Sequence, residues 1–178
     1  ILPAYYDHYI EKWNKIIIAE KAIRNVVVHH VPINGKLDKL EFNGRMVNVV
    51  DYKTGKYENA KKKLVRPNEK EPHGGDYWRQ AVFYKILLDN DKTNSWITVS
   101  AEFDFIEPVG EEYKTELVEV TDADITTVTQ QIVTTWQKIQ NREFKTGCGK
   151  PDCDWCNFVK NNNLAVALHT LETDDPAT

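Results

Sequence analysis

An Asn43-Gly44 pair separates two alternating, β-branched runs, 33–42 (INGKLDKLEF) and 45–53 (RMVNVVDYK), and constrains this chain more than any other local feature. Such a pair between such runs predicts a two-residue hairpin turn, because Asn and Gly tolerate the positive φ that the twist-matched turn demands. With Asn43 and Gly44 at the tip, Phe42 faces Arg45 and Asp38 lies opposite Val49. Asp51 is then a diagonal neighbour of Asp38, and such neighbours lie roughly 7–8 Å apart. Residues i and i+2 of a strand share a face. Asp38, Asp51 and Lys53 are therefore expected together on one side of the hairpin.

Around the hairpin, helical and strand periodicities alternate. Tyr5, Tyr6, Tyr9, Ile10, Trp13, Ile16 and Ile17 recur at three- and four-residue steps and predict a helix near 5–18. The run 25–31 (NVVVHHV) reads as a strand. Residues 56–75 carry Lys56, Lys61, Lys62, Lys63, Arg66 and Lys70 with two prolines and a Gly-Gly, a basic loop. A helix follows over 76–90, started by a capping Asp76. Strands at 95–107 and 113–120 come next, then a helix over 121–140 opened by a capping-box-like Thr121 and Asp124. No internal repeat appears. The class is α/β, a central mixed sheet flanked by helices, and at 178 residues and 41% hydrophobic content the chain can bury one respectable core.

A net charge of −4 excludes a protein that is basic all over, so contact with nucleic acid needs a local patch. With no apolar run long enough to span a membrane and no signal-like start, the chain reads as soluble, intracellular and cytoplasmic.

Two carboxylates as close as Asp38 and Asp51 repel unless a cation or a proton lies between them. A hard divalent ion such as Mg²⁺ or Mn²⁺ takes oxygen ligands and keeps several waters, which suits two aspartates and a substrate phosphate. Lys53 beside that ion can hold or activate the attacking water. Solvated charges on an exposed strand face are the alternative for these residues taken alone.

Three elements in order set that alternative back: Gly35-x-x-Asp38, Asp51-x-Lys53-x-Gly55 thirteen residues on, and Gln80-x-x-x-Tyr84 in the following helix. Together they resemble the RecB-like branch of the PD-(D/E)XK nuclease superfamily, in detail over about residues 20–90. The resemblance implies a restriction-endonuclease-like core in residues 1–158 and a C-terminal tail at 159–178. It makes Asp38 and Asp51 metal-binding carboxylates, Tyr52 a backbone-carbonyl ligand and Lys53 the residue that positions water. Gln80 and Tyr84, one helical turn apart, organise the site or the DNA strand; ordinary core and surface packing is the alternative for this pair. The implied activity is Mg²⁺- or Mn²⁺-dependent DNA cleavage, exonuclease rather than endonuclease, in recombination or repair, with a helicase domain as partner. Glu20 matches a family tendency toward an acidic residue before the first strand, or is an ordinary surface glutamate.

The metal-binding histidine that such proteins carry upstream is not visible: His8 lacks the expected glycine pattern, and His29 and His30 fall on a strand. Because the chain opens on Ile1, it is read as a piece of a larger protein, with the histidine in the part removed. A DNA-binding module without catalysis, or an interaction domain with a coincidental motif set, are the rival readings. Cys148, Cys153 and Cys156 form C-x4-C-x2-C. Several relatives hold a [4Fe–4S] cluster through three such cysteines and a fourth upstream; zinc, or free thiols with Trp155 and Phe158 anchoring the loop, are the alternatives. Lys61, Lys62, Lys63, Arg66 and Arg79 lie between the Asp51 strand and the Gln80 helix, and either line a DNA phosphate track or solvate a loop.

Overall fold

The computed structural model describes residues 1–143 and 151–161, so Cys148 and the expected tail from 162 onward lie outside the described residues. The chain divides into two compact units, 1–133 and 134–178. The first contains α1 (Leu2–Tyr9), β1 (Ile17–Val28), β2 (Val31–Asn43), β3 (Met46–Lys53), a 3₁₀ turn (Tyr57–Asn59), α2 (Ala60–Lys63), α3 (Asp76–Asp89), β4 (Ile97–Val109) and β5 (Glu112–Val118). Helix α4 (Asp122–Gln140) runs from the first unit into the second, which also holds α5 (Asp154–Asn161).

The five strands form one mixed sheet in the order β1-β2-β3-β4-β5. All neighbours are antiparallel except β3 and β4, which run parallel. Parallel neighbours need a long crossover, and the segment containing α3 supplies it. Alternation then sorts the two middle strands. Phe103 and Phe105 of β4 face α3, where they pack against the Tyr77 ring at 5.0 and 6.4 Å between centroids. Asp104, between them, faces α1 and accepts a hydrogen bond from the Tyr5 hydroxyl. Helices α1 and α3 therefore cover opposite faces of the sheet. Gly35 of β2 admits α3 closely, since a Cβ there would fall 2.4 Å from Leu87 Cδ2.

Two local expectations change. The helix near 5–18 stops at Tyr9, and Ile17 already belongs to β1. Asn14 redirects the backbone: its Oδ1 accepts the Ile16 N–H at 2.9 Å and its Nδ2 donates to the Phe42 carbonyl at 3.1 Å. Beyond it, three consecutive isoleucines favour a strand. His29 and His30 are not strand residues but the two centres of a tight turn, with φ of 45° and 71°, between paired Val28 and Val31.

The β2–β3 hairpin forms, but with Gly44 and Arg45 at its tip. Asn43 pairs with Met46 and Phe42 with Val47, two positions from the expected register. Gly44 alone takes positive φ, 63°, the pattern of a turn that needs glycine only at its first centre. A two-residue slip keeps every side chain on its face, so the grouping of Asp38, Asp51 and Lys53 survives.

The loop before α3 is fixed at both ends. The Gly75 N–H donates to the Val65 carbonyl at 2.7 Å, and a Cβ on Gly75 would meet the Lys63 carbonyl at 2.2 Å. Gly75 is the N-cap of α3, so Asp76 is its first residue rather than its cap. Arg66 grips buried Asp124 with two hydrogen bonds of 2.8 and 2.9 Å. Asp124 also accepts from the Trp78 indole at 3.2 Å and completes the expected reciprocal cap with Thr121 at the start of α4. Burial pushes the Asp124 carboxyl up, but the bonds from Arg66 and Thr121 outweigh it and hold the group well below the usual carboxylate range.

Two outcomes follow for stability. A carboxyl depressed in the folded state contributes stability that is present above its unfolded value, about pH 4, and is lost as pH falls. Asp124→Asn should therefore lower the unfolding free energy by roughly 3 kcal/mol at pH 7, with the gap from wild type closing as urea melts are repeated at progressively more acid pH. Gly75→Ala should cost roughly 1–3 kcal/mol in the same melts, because the carbonyl it meets is backbone and cannot rotate away.

Candidate active site

Asp51 lies near the end of β3 and is 5% exposed. Its two oxygens are held from different directions. Oδ2 pairs with Lys53 Nζ at 2.6 Å, the i+2 neighbour on the same strand. Oδ1 accepts from Gln80 Nε2 at 2.9 Å and from the Tyr84 hydroxyl, both on α3. Gln80 is shared twice, because its Oε1 accepts from Lys53 Nζ at 2.7 Å. Burial, then the bond to the Asp51 carboxylate, pushes the Tyr84 hydroxyl far above its ordinary range, so Tyr84 remains a donor. Four of the sequence-derived residues thus form one closed network.

Asp38 joins from β2. The β2–β3 ladder ends at the Lys39–Val50 pair, and the next step of the same register brings Asp38 level with Asp51. Its Oδ2 accepts the backbone N–H of Tyr52 at 3.0 Å, a side-chain bond in place of a ladder bond. Asp38 is half-buried, and its charge contributes to the rise at Tyr84.

Tyr77 is the residue that motif reasoning missed. Lys53 Nζ lies 4.5 Å from the centroid of its ring and 5.0 Å from that of Phe103, so the ammonium rests among aromatic faces. Lys63 Nζ lies 4.8 Å from the same Tyr77 ring. The available signal was spacing: Tyr77 precedes Gln80 by three residues, which places both on one face of α3.

The expected basic track divides. Lys61 and Lys62 are exposed and Lys63 is half-buried beside Tyr77. Arg66 and Arg79 also have partners within the protein: Arg66 holds Asp124, while Arg79 pairs with Asp76 and donates to the carbonyls of His73 and Gly74. Glu20 is exposed and pairs with Lys36. His8 is exposed, with its Nε2 3.0 Å from Lys12 Nζ. In the second unit, Cys153 immediately precedes α5 and Cys156 lies within it, both half-buried. Trp155 is 81% and Phe158 54% exposed, so neither is a buried anchor.

The metal-competent side-chain donors brought together at the Asp51 site are oxygens, those of the Asp51 and Asp38 carboxylates. That set fits a hard divalent cation that keeps several waters. Among the described residues no three His, Cys, Asp or Glu side chains are grouped to hold a metal ion, so the protein's share of such a coordination sphere is small. No helix among the described residues is long and apolar enough to cross a membrane.

Comparison with known proteins bears on this arrangement. A search of curated proteins finds no significant match. Among solved structures, the chain is similar to SSO0001, with 12% identity and a TM-score of 0.39, over 75% of this chain and 57% of that one. It is also similar to a "Putative exonuclease" from Eubacterium rectale, with 12% identity and a TM-score of 0.41, over 86% of this chain and 54% of the other. The chain thus spans little more than half the length of either. The family model of the PD-(D/E)XK nuclease superfamily matches residues 3–160. That match takes in α1 through most of α5, the mixed sheet and every member of the Asp51 network; the chain belongs to the PD-(D/E)XK nuclease superfamily and has its restriction-endonuclease-like α/β fold.

Proposed function

We propose that this chain is a nuclease domain that hydrolyses DNA phosphodiesters with Mg²⁺ or Mn²⁺ at Asp38 and Asp51. The observation that carries the reading is the position of Lys53 Nζ, bonded at once to Asp51 Oδ2 and Gln80 Oε1. A lysine ammonium has three N–H donors. Two are engaged here, which leaves one to orient a water or a phosphate oxygen. The ring faces of Tyr77 and Phe103 restrict how the ammonium can turn. Gln80 and Tyr84 hold Asp51 so that its carboxylate does not reorient when substrate arrives. Asp38 and the Tyr52 carbonyl complete the oxygen donors on the protein side. When bound, the divalent ion polarises the phosphate and lowers the pKa of coordinated water.

The finer reading rests on the order and spacing of the three motifs. It comprises the RecB-like branch, exonucleolytic end-processing in recombination or repair, and a helicase on the same or a partner chain. Lys61, Lys62, Lys63, Arg66 and Arg79 are the proposed phosphate-binding groups. A metal at Cys148, Cys153 and Cys156 stays a proposal on the cysteine spacing.

Cleavage of a labelled linear DNA with Mn²⁺, in the longest natural form of the protein, tests the function. Asp51→Ala and Lys53→Ala should each lower the rate by roughly 10³-fold or more, and EDTA should abolish it; Tyr84→Phe should cost roughly 10-fold in kcat. A folded, DNA-bound wild-type protein that cuts no faster than these variants would overturn the reading in favour of a binding module. In a separate binding experiment, replacing Lys61, Lys62 and Lys63 by Gln should reduce the slope of log K against log salt by about 0.9 for each duplex phosphate that a lysine no longer neutralises.

A further inference from the structure

The face of the sheet under α1, opposite the Asp51 network, holds a cavity of about 320 Å³ whose lining includes Tyr9, Trp13, Lys39, Glu41, Glu102 and Asp104. That is the liquid volume of roughly ten waters, too large for a bare ion. Its polar groups are unevenly paired. Lys39 Nζ is 2.9 Å from Glu41 and lies over the rings of Trp13 and Tyr52 at 5.5 and 5.2 Å, so this ion pair is complete. Lys12 lies beside His8 and the Tyr9 ring. Glu102 receives one neutral hydrogen bond, from Asn48 at 3.2 Å. Asp104 is 4% exposed, and although its Oδ2 accepts from Tyr5, its Oδ1 is buried with no hydrogen-bond partner. The indole Nε1 of Trp13 is likewise buried with no acceptor.

A buried carboxylate oxygen left without a donor carries a desolvation cost of several kcal/mol. Burial raises the pKa of both Glu102 and Asp104, so the surrounding donors and cations do not offset what desolvation removes. Lys12 and Lys39 line the cavity against three carboxylates, Glu41, Glu102 and Asp104, and Asp104 Oδ1 lacks a donor, so a further cation with N–H donors fits. The lining is aromatic as well as acidic, which favours an organic cation over a metal ion. The walls agree: the Tyr9 and Trp13 rings are 8° from parallel with centroids 6.5 Å apart, and aromatic faces beside carboxylates attract ammonium and guanidinium groups. The Trp13 N–H adds a demand for an oxygen acceptor on the same ligand.

We infer that this cavity is a second binding site, for a small organic cation whose ammonium or guanidinium N–H groups pair with Asp104 and Glu102 and whose adjoining oxygen accepts from Trp13. The site is built from groups outside the Asp51 network and stands apart from the nuclease reading.

Ethanolammonium carries both features and is the probe; tetramethylammonium has the charge without N–H donors, and ethylene glycol has the oxygens without the charge. The indole N–H resonance of Trp13, identified by its loss in Trp13→Phe, should shift saturably as ethanolammonium is added, with Kd in the millimolar range or tighter for so small a ligand. Tetramethylammonium and ethylene glycol should bind at least about tenfold more weakly, as should ethanolammonium to Asp104→Asn or Glu102→Gln; each tenfold is about 1.4 kcal/mol. Asp51→Asn should leave binding unchanged. If Asp104→Asn does not fold, Glu102→Gln decides. No saturable shift, equal binding of tetramethylammonium, undiminished binding in the folded Asp104 or Glu102 variants, or loss of binding in a folded Asp51→Asn would each overturn the inference.

Discussion

A single buried carboxylate organises the first unit. Asp51 is almost wholly withdrawn from water, ion-paired with Lys53, and fixed on a strand in the middle of the sheet. Burying a charge is tolerated only when the lost hydration is replaced by hydrogen bonds and an opposite charge. Here the replacements come from two elements: Lys53 from the same strand, and Gln80 and Tyr84 from α3. Helix α3 must therefore dock at one height and one rotation. Gly35 permits the approach, Gly75 starts the helix against the end of α2, and the Arg66–Asp124 pair holds the intervening loop against α4. Each of these features is remote from the carboxylate in sequence and serves the same docking.

The sheet keeps two kinds of chemistry apart by strand alternation alone. Along β3 and β4, Asp51 and Lys53 share the α3 side with Phe103 and Phe105, while Tyr52 lies with Glu102 and Asp104 toward α1. On the first side every oxygen of the carboxylate at the centre has donors. On the second a carboxylate oxygen and an indole N–H are left over. A polar network that is complete rigidifies its surroundings, and one that is incomplete signals something still to be bound or a cost borne by the fold.

What the sequence made legible was the part fixed by short-range rules. Strand alternation grouped Asp38, Asp51 and Lys53, and a register error of two positions left that relation intact; Gln80 and Tyr84 were singled out by the resemblance to a nuclease family, with which their spacing of one helical turn agrees. The order of helix and strand signals indicated an α/β chain, and the sheet's mixed character came with the family resemblance. Less visible were features settled by single backbone conformations or distant partners. The turn at His29 and His30 uses positive φ in residues that seldom adopt it. The early end of α1 depends on Asn14 reaching Phe42, twenty-eight positions away. The intramolecular partners of Arg66 and Arg79, a carboxylate and backbone carbonyls, are identifiable only once the loop has folded back.

The parallel pairing of β3 with β4 also sets an order of events for the nascent chain. The antiparallel strands β1, β2 and β3 are joined by tight turns and can pair from local contacts, whereas β4 reaches β3 only after some forty further residues have been traversed and α3 has crossed over. Loop closure over such a distance is slower than hairpin formation. In the interval β3 is an edge strand, and the valine-rich segment that will become fully buried offers unpaired backbone groups to any other chain nearby. The same crossover that delivers Gln80 and Tyr84 to Asp51 thus also pairs the second edge of β3, so one connection both completes the site and leaves no unpaired edge on its central strand.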